Sequence, residues 1–131
     1  MPAGPIIDTD ILIDVGRGVA DAAVAFRRIA IGGPLSVSTI THMELLVGCR
    51  NREEQGRLGQ FMEQFEVLAL TDATCAAATD LLRRYHLSHG LLIPDALIAA
   101  TALVSRRRLY SKNRRDFRFI EGLDLGPYPP A

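Results

Sequence analysis

Close to the start of the chain, Pro5-Ile6-Ile7-Asp8 runs two β-branched residues straight into a carboxylate, and Thr9-Asp10-Ile11-Leu12-Ile13-Asp14 follows at once. A short apolar pair bounded in this way suits a strand buried on both faces. Thr9 and Asp10 are both good helix N-caps, and Ile11, Leu12 and Val15 recur at helical spacing. Asp8 therefore stands where a strand ends and a helix begins. In open α/β sheets, ligands bind in the crevice outside the carboxyl ends of the strands, which makes Asp8 a candidate site residue.

The same alternation continues along the chain. Gly16-Arg17-Gly18 is a break, and Val19 to Ile31 reads as an amphipathic helix with Ala22, Ala25, Phe26 and Ile29 on one face. Gly32-Gly33-Pro34 stops it before a second strand, Leu35-Ser36-Val37-Ser38. Thr41-His42-Met43-Glu44 fits a capping box ahead of Leu45, Leu46 and Val47, in a helix ending near Gly48. A polar helix from Asn51 to Phe65 carries Leu58, Phe61, Met62 and Phe65. Glu66 to Leu70 is a third strand, and Thr71 or Asp72 caps a helix to about His86 with Ala76, Ala77, Leu81, Leu82 and Tyr85 inward. Ser88-His89-Gly90 reads as a turn. Ala96 to Arg107, opened by Pro94-Asp95, is apolar nearly all round and belongs in the middle of the fold. Leu109-Tyr110-Ser111 is a fourth strand, with a fifth near Leu123 to Leu125 and a loose tail from about residue 126 to 131. Strands alternating with helices imply βαβ units and a mainly parallel sheet in one α/β domain spanning residues 1–131.

Composition narrows the class. A chain of 131 residues with 48% hydrophobic and 23% charged residues buries roughly two-thirds of its unfolded surface, enough for one core. No apolar run approaches the roughly 20 residues that span a bilayer, and the N-terminal residues lack the basic segment of a signal peptide, so a cytoplasmic protein is expected. Cys49 and Cys75 are too few for a disulfide framework or zinc site and read as small buried hydrophobes. Net charge is zero, but seven of the fifteen basic residues fall between Arg106 and Arg118. That stripe is either a grip for a polyanion or a solvated helix end whose cations complement the dipole.

Four acids occupy comparable positions. Asp8 ends the first strand, Glu44 lies early in the helix after the second, Asp95 opens the buried helix, and Asp116 follows the fourth strand. Each has an ordinary structural role open to it: turn residue for Asp8 and Asp116, capping-box partner of Thr41 for Glu44, helix-dipole partner for Asp95. Asp10 reads as a cap and Asp14 as solvated or partner-facing. Two carboxylates about 4 Å apart repel by about 4 kcal/mol at an effective dielectric of 20, so four converging acids need shared protons or cations. An all-oxygen set suits Mg²⁺ or Mn²⁺ over zinc. His86 and His89 have no acid or cysteine beside them, and His42 reads as a rim residue. No nucleophile elbow, Walker A loop or dinucleotide fingerprint is present, which leaves metal-assisted hydrolysis at a phosphoryl group beside the basic stripe.

Taken together, Ile6-Ile7-Asp8-Thr9-Asp10, Thr41-His42-Met43-Glu44-Leu45-Leu46-Val47-Gly48, Asp95-Ala96-Leu97-Ile98-Ala99-Ala100-Thr101-Ala102 and Leu109-Tyr110-Ser111-Lys112-Asn113-Arg114-Arg115-Asp116-Phe117 resemble the PIN-domain ribonucleases, and among them the VapC toxins of bacterial VapBC pairs. The blocks stand in the family's order over essentially the whole chain. The resemblance implies an α/β/α sandwich around a parallel sheet of four to five strands. It also implies endonucleolytic cleavage of RNA (tRNA, rRNA or mRNA) dependent on Mg²⁺ or Mn²⁺, leaving a 5′-phosphate. Asp8, Glu44 and Asp95 fall on its core acidic positions, and Asp116 on its Asn-x-x-Asp-Phe block. Asn113 stands where some members contribute a further polar or acidic group. Thr9, Ser38 and Thr41 are candidates for orienting ligands or phosphate, and Lys112, Arg114 and Arg115 for holding the RNA. A cognate VapB antitoxin, a homodimer and a toxin–antitoxin hetero-oligomer are implied likewise, with Ile11, Leu12, Val15, Leu45, Leu46, Leu58 and Phe61 offering either an antitoxin groove or plain core.

Two rivals come from other classes. A haloacid-dehalogenase-like phosphatase matches the Asp8-Thr9-Asp10 spacing, but Lys112 is the one lysine and stands late among arginines. A catalytically silent PIN-like module that binds RNA or a partner is separated from a nuclease by a metal titration.

Overall fold

Ile6 and Ile7 make up β1 (Ile6–Ile7), and both are fully buried because the two residues face opposite sides of the sheet. The computed structural model describes residues 4–130, so Met1 to Ala3 of the N-terminal segment and Ala131 of the tail lie outside the described residues. β2 (Leu35–Ser38), β3 (Phe65–Leu68) and β4 (Leu109–Tyr110) join β1 in one parallel sheet of order β3-β2-β1-β4. Ile6 pairs with Ser36 on one side and Leu109 on the other, and Ile7 with Tyr110. The chain winds outward through β2 and β3, then crosses back to place β4 on the far side of β1. The carboxyl end of β1 is thus the point where strand order reverses, the place open α/β sheets use for ligands. The expected fifth strand reduces to a single parallel bridge between Leu125 and Leu109.

Ile6 and Ile7 also divide the core. Ile6 packs with Ala78, Leu81, Ala96, Ala99 and Phe117 on one face, and Ile7 with Ile11, Leu12, Ile29, Val37 and Met62 on the other. The first layer comes from α5 (Asp72–His89) and α6 (Ile93–Ser105). The second comes from α1 (Thr9–Gly16), α2 (Ala20–Ile31) and α4 (Arg52–Met62), where Phe26, Phe61 and Phe65 pack ring against ring. α3 (Thr39–Val47) touches α1, α4 and α6 at the sheet's carboxyl edge. This is the expected α/β/α sandwich. Ala96, Ala99, Ala100 and Ala102 are almost wholly buried in α6, so its smallness lets α5 approach closely. No described helix is long and apolar enough to cross a membrane.

Several boundaries move. α3 begins at Thr39 with Ser38 as its cap, so Thr41 is interior and the Thr41–Glu44 capping box does not form. α5 continues through His89 and stops at Gly90, whose φ of 71° ends the helix in the left-handed region, so Ser88-His89 is helix and not turn. Ala76 and Cys75 are exposed and Cys49 is half-buried, because the inward stripe of α5 runs through Thr74, Ala78 and Leu81. Ile11 and Leu12 are core and offer no groove, while Val15, Leu45, Leu58 and Phe61 are half-buried. In the tail, Tyr128 packs partly buried on the second cluster, and Gly126 N–H donates to Leu109.

Candidate active site

Asp8 ends β1, donates its backbone N–H to Tyr110 O and caps α1 with its side chain. The residue is 5% exposed. Oδ1 accepts from Thr9 N at 2.8 Å and Oδ2 from the Ser111 hydroxyl at 2.7 Å. Burial, followed by the negative charge of Asp10, pushes Asp8 up to about 8, against the pull of Ser111 and the Thr9 amide. Sequence reading gave the cap to Thr9 or Asp10. The pairing of β1 with β4 instead sets Ser111 beside Asp8 and leaves Asp10 in the first helical turn.

Asp10 is consequently not the cap. Its Oδ2 accepts from Asn113 Nδ2, and its Oδ1 is buried with no partner among the described residues. Both Asp10 and Ser111 were missed as site residues. The register that sets Tyr110 beside Ile7, and hence Ser111 beside Asp8, is the signal that exposes the second of them.

Glu44 comes to the same place from the second turn of α3. Its Oε1 accepts from the Thr9 hydroxyl at 2.7 Å, and that hydroxyl lies 2.9 Å from the Thr41 hydroxyl. Freed from a capping box, Glu44 is tied across the sheet edge to α1. Asp95, half-buried in the first turn of α6, is pushed up to about 6 by burial first, then by Asp116, Glu44 and Asp10. Asp116 closes the group from an exposed 3-10 turn, Arg114–Asp116. The four predicted acids and Asp10 thus share one electrostatic neighbourhood. Among the described residues, however, no three of them stand close enough together to enclose an ion.

The supporting residues divide. Thr9 and Thr41 serve Glu44, whereas buried Ser38 is occupied by the Ile40 amide and by Thr101, 3.2 Å away on α6. Lys112 pairs with Asp14 at 2.7 Å, and Arg114 donates to Gly126 O, tying down the tail. Arg115 is exposed. His86 Nδ1 lies 2.8 Å from Leu91 O, and His89 stacks on Phe119; among the described residues neither joins a group of metal-ligating side chains.

The basic stripe is split by β4. Arg107 reaches Ser36 Oγ at 2.6 Å and Glu66 at 3.1 Å, and Arg108 pairs with Asp124 at 3.3 Å, all at the sheet edge opposite Asp8. A phosphatase of the aspartyl-nucleophile type also loses its basis. The one lysine, which such an enzyme needs beside the aspartate, is held by Asp14.

Comparison with known proteins places this geometry. Residues 6–122 match the PIN domain family. Ribonuclease VapC10 of Mycobacterium tuberculosis is 34% identical over 119 residues, covering 90% of this chain and 89% of the relative. Ribonuclease VapC1 of Methanocaldococcus jannaschii is 27% identical, covering 94% and 85%. Among solved structures, a toxin–antitoxin complex from Klebsiella pneumoniae superposes with a TM-score of 0.77 at 29% identity, over 91% of this chain and 94% of that one. DNA-bound VapBC from Salmonella typhimurium shares the fold, with a TM-score of 0.78 at 19% identity over 95% and 97%. The chain belongs to the PIN-domain family and is a homologue of the VapC ribonucleases.

Proposed function

We propose that the chain, as a single PIN domain acting in the cytoplasm, is an endoribonuclease dependent on Mg²⁺ or Mn²⁺. In this reading it is the toxin of a toxin–antitoxin pair, neutralised by a VapB-type antitoxin, and it assembles as a homodimer or with that antitoxin. The supporting observation is the gathering of Asp8, Asp10, Glu44, Asp95 and Asp116 at the strand-order reversal, with burial and mutual repulsion holding Asp8 near 8 and Asp95 near 6. Buried Asp8, and an Asp10 oxygen lacking any partner among the described residues, have the donor chemistry for a hard divalent cation, although no three of the acids stand close enough here to enclose one. The donors are all oxygen, which favours Mg²⁺ or Mn²⁺ over a softer ion.

Asp8, Asp95 and Asp116 would have to draw closer than they stand here to hold that cation, with Glu44 contacting it directly or through water and Asp10 adding an oxygen nearby. Bound there, it neutralises charge on a phosphodiester and acidifies water. The chain's own groups keep the donors in place. Ser111 and the Thr9 amide fix the two oxygens of Asp8, the Thr9 hydroxyl fixes Glu44, and Asn113 fixes Asp10. Exposed Arg115 and Arg118, flanking Asp116, are free to meet the phosphate backbone.

Incubating the purified protein with total cellular RNA, in Mn²⁺ or in EDTA, and sequencing the cut ends tests the reading. Discrete cuts present in Mn²⁺ and absent in EDTA are expected. Asp95→Asn should fold normally and lose at least about 100-fold in cleavage. Undiminished cleavage by that variant would overturn the assignment, and failure to bind millimolar Mg²⁺ or Mn²⁺ would point to a silent binding module.

A further inference from the structure

At the last turn of α5, the His89 ring lies flat on Phe119, with centroids 4.2 Å apart and planes 11° from parallel. Tyr85, one turn earlier, stands edge-on to both rings at 5.8 and 5.2 Å, and the Arg84 guanidinium lies 5.0 Å over Tyr85. Ser88 Oγ, 2.7 Å from His89 Nδ1, holds the imidazole plane. His89 and Phe119 line a small cleft whose other walls include Leu91, Leu92, Asp95 and Asp116. Tyr85 and Phe119 pack half-buried against the first core cluster, which leaves the exposed His89 ring as the outer layer, with Leu92, 59% exposed, on the same cleft.

We propose that the His89–Phe119 stack is a base-binding platform, which seats one unstacked nucleobase of single-stranded RNA beside the acidic cluster. The inference rests on the ribonuclease reading and adds a subsite to it. A phosphate is repelled by the carboxylates of Asp95 and Asp116, whereas a neutral, planar base is not. Proteins that take single-stranded RNA stack splayed bases on aromatic faces, and two rings already held parallel continue as a stack of three with no further ordering of the protein. A base held there sets which phosphate of the strand comes to the cation that the acids would hold, so the platform selects the cleavage position.

Short single-stranded RNAs carrying 2-aminopurine at successive positions test this, because that base loses fluorescence on stacking. Titrated in Mn²⁺ against the full chain in an Asp95→Asn background, one position should quench. Adding His89→Gln, which keeps a polar contact to Ser88 without a ring, should weaken binding about tenfold and remove the quench. His89→Tyr should restore both. Thermal melting of the two His89 variants confirms that they fold, and an unstable His89→Gln is replaced by the contrast of His89→Ala with His89→Tyr. Equal affinity and equal quench in the ring-less variant overturn the platform, as does quenching at no position. Wild-type cleavage of RNA, measured alongside, separates the two claims. Cleavage with no dependence on His89 leaves the nuclease and removes the platform. A His89-dependent quench without cleavage leaves the platform and removes the nuclease.

Discussion

Asp8 caps a helix, accepts a second bond from Ser111 and is buried, yet it is held near 8 where its usual value is 3.8. Asp95 is held near 6 from the same starting point. Between pH 4 and 8 the folded chain therefore binds more protons than the unfolded chain. Stability falls as pH rises through that window, and the loss is complete above the folded value of Asp8. Melting in EDTA should accordingly give a Tm lower at pH 8 than at pH 5, by on the order of 10 °C. Mn²⁺ at pH 8 should recover much of it, since ligand binding to the folded state alone stabilises it. Asp8→Asn should flatten the pH profile and raise Tm at pH 8 without metal, while cleavage is lost. A melting temperature independent of pH would show that these acids are not strained. Thr9→Val separates positioning from charge. It strips the hydroxyl from Glu44 and Thr41, should cost about 1 kcal/mol in denaturant unfolding, and should lower kcat while leaving the melting profile's pH dependence intact.

At the scale of elements, the start of α3 decides what Glu44 can do. Ser38 ends β2, and its hydroxyl already accepts from the Ile40 amide, which leaves Thr41 buried and Glu44 free to face α1. Ser38→Ala should therefore destabilise the protein by about 1 kcal/mol in urea unfolding, the usual loss for a helix cap. A loss of that size from Glu44→Gln, with none from Ser38→Ala, would restore the capping box in its place. This is also where sequence legibility ends. The strand–helix alternation, the parallel sheet and the four acids were readable because apolar runs and their turn residues carry period and position locally. The cap was not, because Ser38 and Thr41 both satisfy the local pattern and only the pairing of β2 with its neighbours fixes where the strand stops. Asp10 failed for the same reason. Two carboxylates in Asp8-Thr9-Asp10 compete for one cap, and the β1–β4 register that awards it to Asp8 is a contact across roughly a hundred residues. Of the inward stripe read for α5, Ala77, Leu81, Leu82 and Tyr85 do face the first core cluster, and only Ala76 turns outward, its place taken by Thr74 and Ala78.

For the molecule as a whole, zero net charge means that RNA cannot be drawn in by a uniform field, and the placement of the arginines has to supply the attraction. Two residues of β4 divide them. Arg107 and Arg108 lie at the amino edge of the sheet, one inserted between Ser36 and Glu66 and the other paired with Asp124. Arg115 and Arg118 lie beyond the carboxyl edge, exposed and without an ion pair among the described residues, on the segment that carries Asp116. The salt dependence of RNA binding reads this division directly. Each phosphate contact contributes about 0.7 to the slope of log affinity against log salt for a single strand. Arg115→Ala with Arg118→Ala should flatten that slope by roughly 1.4 and weaken binding across all sequences alike. Arg108→Ala should leave the slope where it was, because its charge is already answered by Asp124 at the far edge. Equal flattening from both would mean that RNA wraps the whole sheet rather than meeting it at the carboxyl edge. The acids would then be one stop along a longer track, and neither Asp95 nor the base platform beside it could fix the cut on its own.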